Sequence, residues 1–236
     1  MIGELLTDML YPRRCAVCDR IVPFGGELIC REHTGKLPYV TEPACLRCGK
    51  EVESESFEYC MDCERHSRSF DRGFPVFNYE EPVKSSVLAI KYHGKQEYCD
   101  FYGREIGKKL APYVFRYDID GIAYVPVHRR KLKERGYNQA YLLAKSASKE
   151  LKLPVLTDML VRKEYTSPQK LLDNLERANN IKMSMDIGEL YEGHKNILLI
   201  DDIYTTGVTV NVCSDILRKA GAEHVYVSTV CIGKGR

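Results

Sequence analysis

The sequence predicts an α/β fold, a mainly parallel twisted sheet flanked by helices, with a small double metal-binding ribbon in front of it. Three observations carry this expectation. Two cysteine-rich blocks of identical spacing fill the first seventy residues, and apolar strand-like and helical segments alternate after them. Near the C-terminus, a short apolar run ends in two acids, two threonines and a glycine ahead of a helix.

The chain has 236 residues, of which 44% are hydrophobic, enough for one domain of ordinary size and a small appendage. The formal charge is +2 with 29% charged residues, which argues neither for a nucleic-acid polyanion binder nor for a disordered tail. Residues 1–10 place Ile2, Leu5, Leu6, Met9 and Leu10 at helical spacing, but Glu4 and Asp8 interrupt them and no basic stretch precedes them. This reads as a short amphipathic helix, not an export signal. No apolar run reaches the roughly 18 residues a membrane span needs, so no membrane insertion is expected and the protein is expected to be cytoplasmic. In a reducing compartment, ten cysteines point to metal ligands before disulfides.

The ligand-type residues of residues 1–69 form two blocks: Cys15, Cys18, Cys30 and His33, then Cys45, Cys48, Cys60 and Cys63. Each member of the second follows its counterpart by thirty positions. Each block reads as two knuckles separated by eleven residues. A two-residue spacer lets a tight turn aim both side chains at one tetrahedral ion, and a second turn closes the shell, as in structural Zn²⁺ sites. Two structural zinc ions are therefore expected, with a single degenerate site, cross-braced pairing or redox thiols as alternatives. Gly25, Gly26 and Gly49 supply turn freedom, and 20–23 and 50–53 are expected as ribbon strands. Apolar burial cannot fold so small a unit, so metal binding should supply its folding energy.

From residue 70 to 236 the knuckles vanish and an α/β alternation sets in. A strand is expected over 74–79, a helix over 83–90, a helix over 100–113 and a strand over 121–127. The basic stretch HRRKLKERG follows, then a helix over 138–151 with Tyr141, Ala144, Ala147 and Leu151 on its core face. Residues 156–185 are polar, carry Pro168 and lack periodicity, the character of a lid or binding loop. A buried parallel strand is expected over 197–200, a helix over 208–220 capped by Gly221, and a last strand over 224–232. Cys99, Cys213 and Cys231 lie outside the blocks and read as small buried hydrophobes.

The segment KNILLIDDIYTTGVTV carries the clearest chemistry. A strand delivering a loop to a helix N-terminus aligns backbone N–H groups and the positive end of the helix dipole, a site for a phosphate dianion. Thr205, Thr206 and Thr209 add hydroxyl donors, Val208 opens the helix, and Gly207 lets backbone approach the anion. Asp201 and Asp202 at the strand's carboxyl end suit vicinal ribose hydroxyls and a neighbouring Mg²⁺.

This segment resembles the phosphoribosyl pyrophosphate (PRPP) motif of type I phosphoribosyltransferases. Together with KYHGK at 91–95, VPVHRRKLKERGYNQAYLLA at 125–144 and the spaced Gln169, Leu172, Arg177 and Asn180, it resembles the ComF family, whose members carry an N-terminal zinc ribbon, often double. The resemblance covers nearly the whole chain. It implies a type I phosphoribosyltransferase fold and a role in DNA uptake during natural transformation, with PRPP, an acceptor, competence proteins and single-stranded DNA as partners. By that analogy Asp201 and Asp202 hold ribose and residues 205–209 hold the 5-phosphate. His128 and Arg129 lie in the pyrophosphate loop, and Arg177 reaches pyrophosphate from the lid. Purine-salvage relatives carry an acid where Thr205 stands, so the resemblance speaks against purine-base transfer.

The basic cluster Arg129, Arg130, Lys131, Lys133 and Arg135 suits a polyanion, or simply a solvated helix face. Two functions follow. One is a PRPP-dependent transferase in DNA uptake or nucleotide metabolism. The other is a single-stranded nucleic-acid-binding or competence-machinery adaptor whose PRPP site only senses, with Tyr92 and Tyr137 available for base stacking or, more simply, for the core.

Overall fold

In the computed structural model the described residues are 12–23, 27–163, 184–189 and 193–233. The expected helix at 1–10, Gly25, Gly26, Pro168, Gln169, Leu172, Arg177 and Asn180 lie outside them.

Four parallel strands form the main sheet: β1 (Arg72–Asn78), β2 (Gly121–Tyr124), β5 (Asn196–Tyr204) and β6 (His224–Ile232), in the order β1-β6-β5-β2. Between β2 and β5 in sequence, β3 (Leu160–Arg162) and β4 (Met185–Ile187) make a separate antiparallel pair. Ile197, Leu198, Leu199 and Ile200 are fully buried, as expected of a central parallel strand with both faces covered.

The first helix is a short one in the ribbons, α1 (Met61–Arg65). Helices α2 (Val83–Tyr92), α3 (Tyr98–Val114) and α5 (Gln139–Leu151) follow, with the short α4 (Arg129–Arg135) before α5 and α6 (Val208–Lys219) before β6. Val87, Ile106 and Leu143 join one core cluster, while Val210, Cys213 and Leu217 of α6 join a second. Alternating side chains of β5 serve both: Leu198 and Ile200 enter the first, Ile197 and Leu199 the second.

Three expectations are corrected. Each ribbon is tied by one antiparallel bridge, Arg14 with Ile21 and Ala44 with Glu51, in place of the strands expected at 20–23 and 50–53. A knuckle turn needs only the pair of residues that closes it. Strand β2 ends at Tyr124 instead of Val127, and β5 continues through the acid pair to Tyr204. Tyr92 is 67% exposed, outside the core, whereas the Tyr137 hydroxyl donates to the Ile90 carbonyl.

The ribbons are sewn into the sheet. The Val40 amide donates to the Val76 carbonyl (2.9 Å) and the Asn78 amide to the Pro38 carbonyl (2.7 Å), so the inter-ribbon segment covers the free edge of β1. Gly49, at φ +76°, sits where a Cβ would lie 2.4 Å from Pro75 Cδ and 2.6 Å from the Gly73 carbonyl oxygen. The turn freedom expected there doubles as clearance for β1. The first ribbon packs with α2 and α3; Cys45 and Cys48 of the second join Phe70 in the α6-side core.

Candidate active site

The eight metal-type residues resolve into two sequential sets, Cys15, Cys18, Cys30 and His33, and Cys45, Cys48, Cys60 and Cys63. Within each, the ligand atoms lie within 4.8 Å of one another. This pairing excludes cross-bracing. Tetrahedral zinc with Zn–S bonds near 2.3 Å puts its sulfurs about 3.8 Å apart. Cys18 and Cys30 Sγ are 3.8 Å apart, Cys48 and Cys60 Sγ 3.6 Å, and Cys30 Sγ lies 3.1 Å from His33 Nδ1. Amides also aim at sulfur: those of Val17 and Cys30 at Cys15 Sγ (3.5 and 3.3 Å) and that of Cys48 at Cys45 Sγ (3.5 Å). Such donors hold the anionic ligand form a metal requires. Both donor sets therefore fit zinc.

The second constellation stands where β5 outruns β2. Tyr124 pairs with Ile200, and the Val125 amide makes the last contact, to the Ile200 carbonyl at 3.0 Å. From Asp201 to Tyr204, β5 pairs with β6 alone among the described residues. The sheet thus opens a crevice at the carboxyl ends of its strands, the usual ligand position in open α/β sheets.

Because both acids lie within the strand, their side chains take opposite faces. Asp202 faces α2 and α5: Lys91 Nζ lies 3.0 Å from its Oδ1, and Gln139 Nε2 donates to its Oδ2 at 2.8 Å. Asp201 is buried on the other face, and its Oδ1 accepts the Asp202 amide at 2.8 Å. Burial, then the neighbouring Asp202 charge, pushes the Asp201 carboxyl up to about 7, opposed by the positive charges of Lys91 and Arg162. Arg162, on β3, has a buried Nε with no partner among the described residues, and burial depresses its guanidinium.

Beyond Tyr204 the loop 205–207 turns into α6. Thr205 and Thr206 are exposed, Gly207 caps the helix at φ +75°, and Val208 and Thr209 open its first turn. Among the described residues none accepts a hydrogen bond from the amides of Thr205, Thr206, Gly207 or Val208. The first turn of α6 contains no acid. Such a terminus suits an anion. Gly207 has a structural reason as well, for a Cβ there would come within 2.2 Å of the Tyr204 hydroxyl. The Tyr204 ring lies beneath the loop and meets Phe70 edge-on at 6.3 Å.

After β2, His128 caps α4, its Nδ1 accepting the Arg130 amide at 3.1 Å, which leaves the proton of a neutral ring on Nε2. Asn138 caps α5, its Oδ1 accepting the Ala140 amide at 3.0 Å, and its Nδ2 returns to the Val125 carbonyl at 3.1 Å. The basic segment is thereby pinned at its base, and Gln139 is delivered to Asp202. Residues Arg129 to Glu134 of α4 are exposed, with Arg130 paired to Glu134 at 2.8 Å.

Residues 6–64 match the family model of the double zinc ribbon domain, and residues 138–236 that of the phosphoribosyl transferase domain. Competence protein F of Haemophilus influenzae is 28% identical over 209 residues, covering 84% of this chain and 86% of that protein. Competence protein ComFC of Bacillus subtilis is 25% identical over 208 residues, 83% and 80% of the two chains. The DNA utilization protein YhgH of Escherichia coli is 24% identical over 234 residues, 94% and 98%. This chain is a homologue of these competence and DNA utilization proteins.

The fold of this chain is that of a phosphoribosyltransferase domain, with a double zinc ribbon in front. The structure brings Asp201, Asp202 and the 205–209 loop together at one sheet end and sets His128 and Arg129 at the start of α4. Lys91 and Gln139 were legible only as letters of the motifs KYHGK and GYNQA. The signal that finds them is chemical: a buried acid pair must have a counter-charge and donors, and those two motifs supply them. No sequence pattern marks Arg162. Among the described residues no helix is long and apolar enough to cross a membrane.

Proposed function

We propose that this protein binds PRPP with Mg²⁺ and transfers its 5-phosphoribosyl group to an acceptor, in the cytoplasm, in support of DNA uptake or use. The observation that carries the reading is the continuity of β5, acid pair, undonated amides and α6 in one crevice. Amides 205–208 and the Thr205, Thr206 and Thr209 hydroxyls take the 5-phosphate. Asp202 accepts from the ribose as Lys91 turns toward the pyrophosphate, while His128 and Arg129 lie on the pyrophosphate side; the role expected of Arg177 falls outside the described residues.

Displacement of pyrophosphate from C1 builds positive charge on the sugar and negative charge on the leaving group. Asp202 answers the first, and the basic side chains the second. Mg²⁺, when bound with PRPP, neutralises part of the pyrophosphate charge. Asp202, whose carboxylate faces α2 and α5 at the crevice, is the hard oxygen donor beside that charge.

Titration of PRPP and Mg²⁺ by calorimetry, followed by a pyrophosphate-release assay over candidate nucleophiles, tests the reading. Binding and release should both vanish in Asp202→Asn; a wild-type protein without affinity for PRPP would refute it.

The exposed basic face of α4 favours a second reading, single-stranded nucleic-acid binding with PRPP as signal. The ribbons do not extend that surface evenly: residues 51–64 hold Glu51, Glu53, Glu55, Glu58, Asp62 and Glu64 and no basic residue. DNA binding that survives Asp202→Asn and falls with Lys131→Ala and Lys133→Ala would favour it.

A further inference from the structure

The first metal knuckle touches the wall of the crevice that carries Lys91. Asp19, the residue after ligand Cys18, accepts from Lys95 Nζ on both carboxylate oxygens (2.8 and 3.0 Å) and from the Tyr98 hydroxyl on Oδ1 (2.7 Å). Five residues before Lys91, the Ser86 hydroxyl donates to the carbonyl of Ala16, inside the same knuckle. Lys95 closes the corner between α2 and α3, and Tyr98 is the first residue of α3. The knuckle therefore holds the chain on both sides of Lys91, the residue that meets Asp202. Asp19 holds φ +62°, a conformation the knuckle imposes and that Asp and Asn accept more readily than other side chains.

We propose that Asp19 is a positioning residue for the PRPP site, so that filling of the Cys15, Cys18, Cys30 and His33 site by zinc and PRPP binding stabilise each other. The path runs from the metal-closed turn, through Asp19 to Lys95 and Tyr98, to Lys91 and the Asp202 carboxylate. The proposal rests on the PRPP reading above. Because linkage is reciprocal, PRPP must retain zinc as strongly as zinc favours PRPP.

Asp19→Asn tests it, since Asn tolerates the backbone angle and no metal ligand is altered. The Asp19 and Lys95 side chains are 43% and 28% exposed, so the effect is moderate. PRPP affinity, read by calorimetry in Mg²⁺, should fall about three- to tenfold with two zinc ions still bound per chain. In the wild type, saturating PRPP should slow zinc loss to a chelating dye; in Asp19→Asn it should not. Lys95→Met, on the other side of the contact and remote from the ligands, should reproduce the defect, and the double variant should be no worse than either single one. Unchanged PRPP affinity in both single variants, or additive losses in the double variant, would overturn the proposal. A wild type that ignores PRPP refutes the transferase reading itself, a distinct result.

Discussion

Lys91 Nζ lies 3.0 Å from Asp202 Oδ1, joining the end of α2 to the strand that runs into the phosphate loop. The pair is largely buried, with the side chains 20% and 8% exposed, so neither charge is well solvated. Removing one partner leaves the other to bear its desolvation. Lys91→Met should therefore lower stability by about 3 kcal/mol. Asp202→Asn in the same chain should recover part of that loss, because Gln139 can still bond an amide oxygen. Urea melts of the two single variants and the double variant check the coupling; purely additive losses would mean the two groups act independently.

Asp201 gives the protein a pH signature. Its carboxyl is raised from 3.8 to about 7 by burial and by Asp202, so between those values the folded chain holds a proton that the unfolded chain lacks. Stability should fall as pH rises through this window, with a slope approaching about 1.4 kcal/mol per pH unit. Asp201→Asn should flatten the slope, measured as the urea midpoint from pH 5 to 7.5.

Gly207 meets two demands at once, φ +75° and a Cβ position 2.2 Å from the Tyr204 hydroxyl. Gly207→Ala should cost about 2–4 kcal/mol, the sum of left-handed strain and a forced shift of a buried ring. PRPP binding should drop with it. Combining it with Tyr204→Ala should relieve the clash but not the strain, so the double variant should be less destabilised than the two single losses summed. Melting curves of all three variants decide this.

Two zinc ions per chain are expected from the two closed donor sets. Cys48→Ala should leave one, and should lower stability by about 3 kcal/mol or more, because the metal supplies the ribbon's folding energy. It should also perturb the loop. Phe70, which follows the second knuckle, meets the Tyr204 ring edge-on at 6.3 Å. Elemental analysis and calorimetric PRPP titration are the measurements; an intact zinc count in this variant would break the assignment.

Much of this protein was legible as sequence because its signals are local. The thirty-residue offset of the cysteine blocks names the two ligand sets, and the apolar run ahead of Asp201 marks a buried strand feeding a loop and a helix. Such patterns depend on turn geometry and side-chain period, which neighbouring residues fix by themselves. What only the tertiary structure decided is which way the acids face and what answers them. Ladder pairing with β6 keeps Asp201 and Asp202 within β5, and the strand's alternation then sends one carboxyl into the α6-side core and the other toward Lys91 and Gln139. Those partners stand more than sixty positions from Asp202 along the chain. Likewise the cysteine spacing says nothing of the edge of β1 it covers, or of Asp19 reaching Lys95. Contacts between distant segments are set by how faces pack and by the need to neutralise buried charge, and neither is written at any one position.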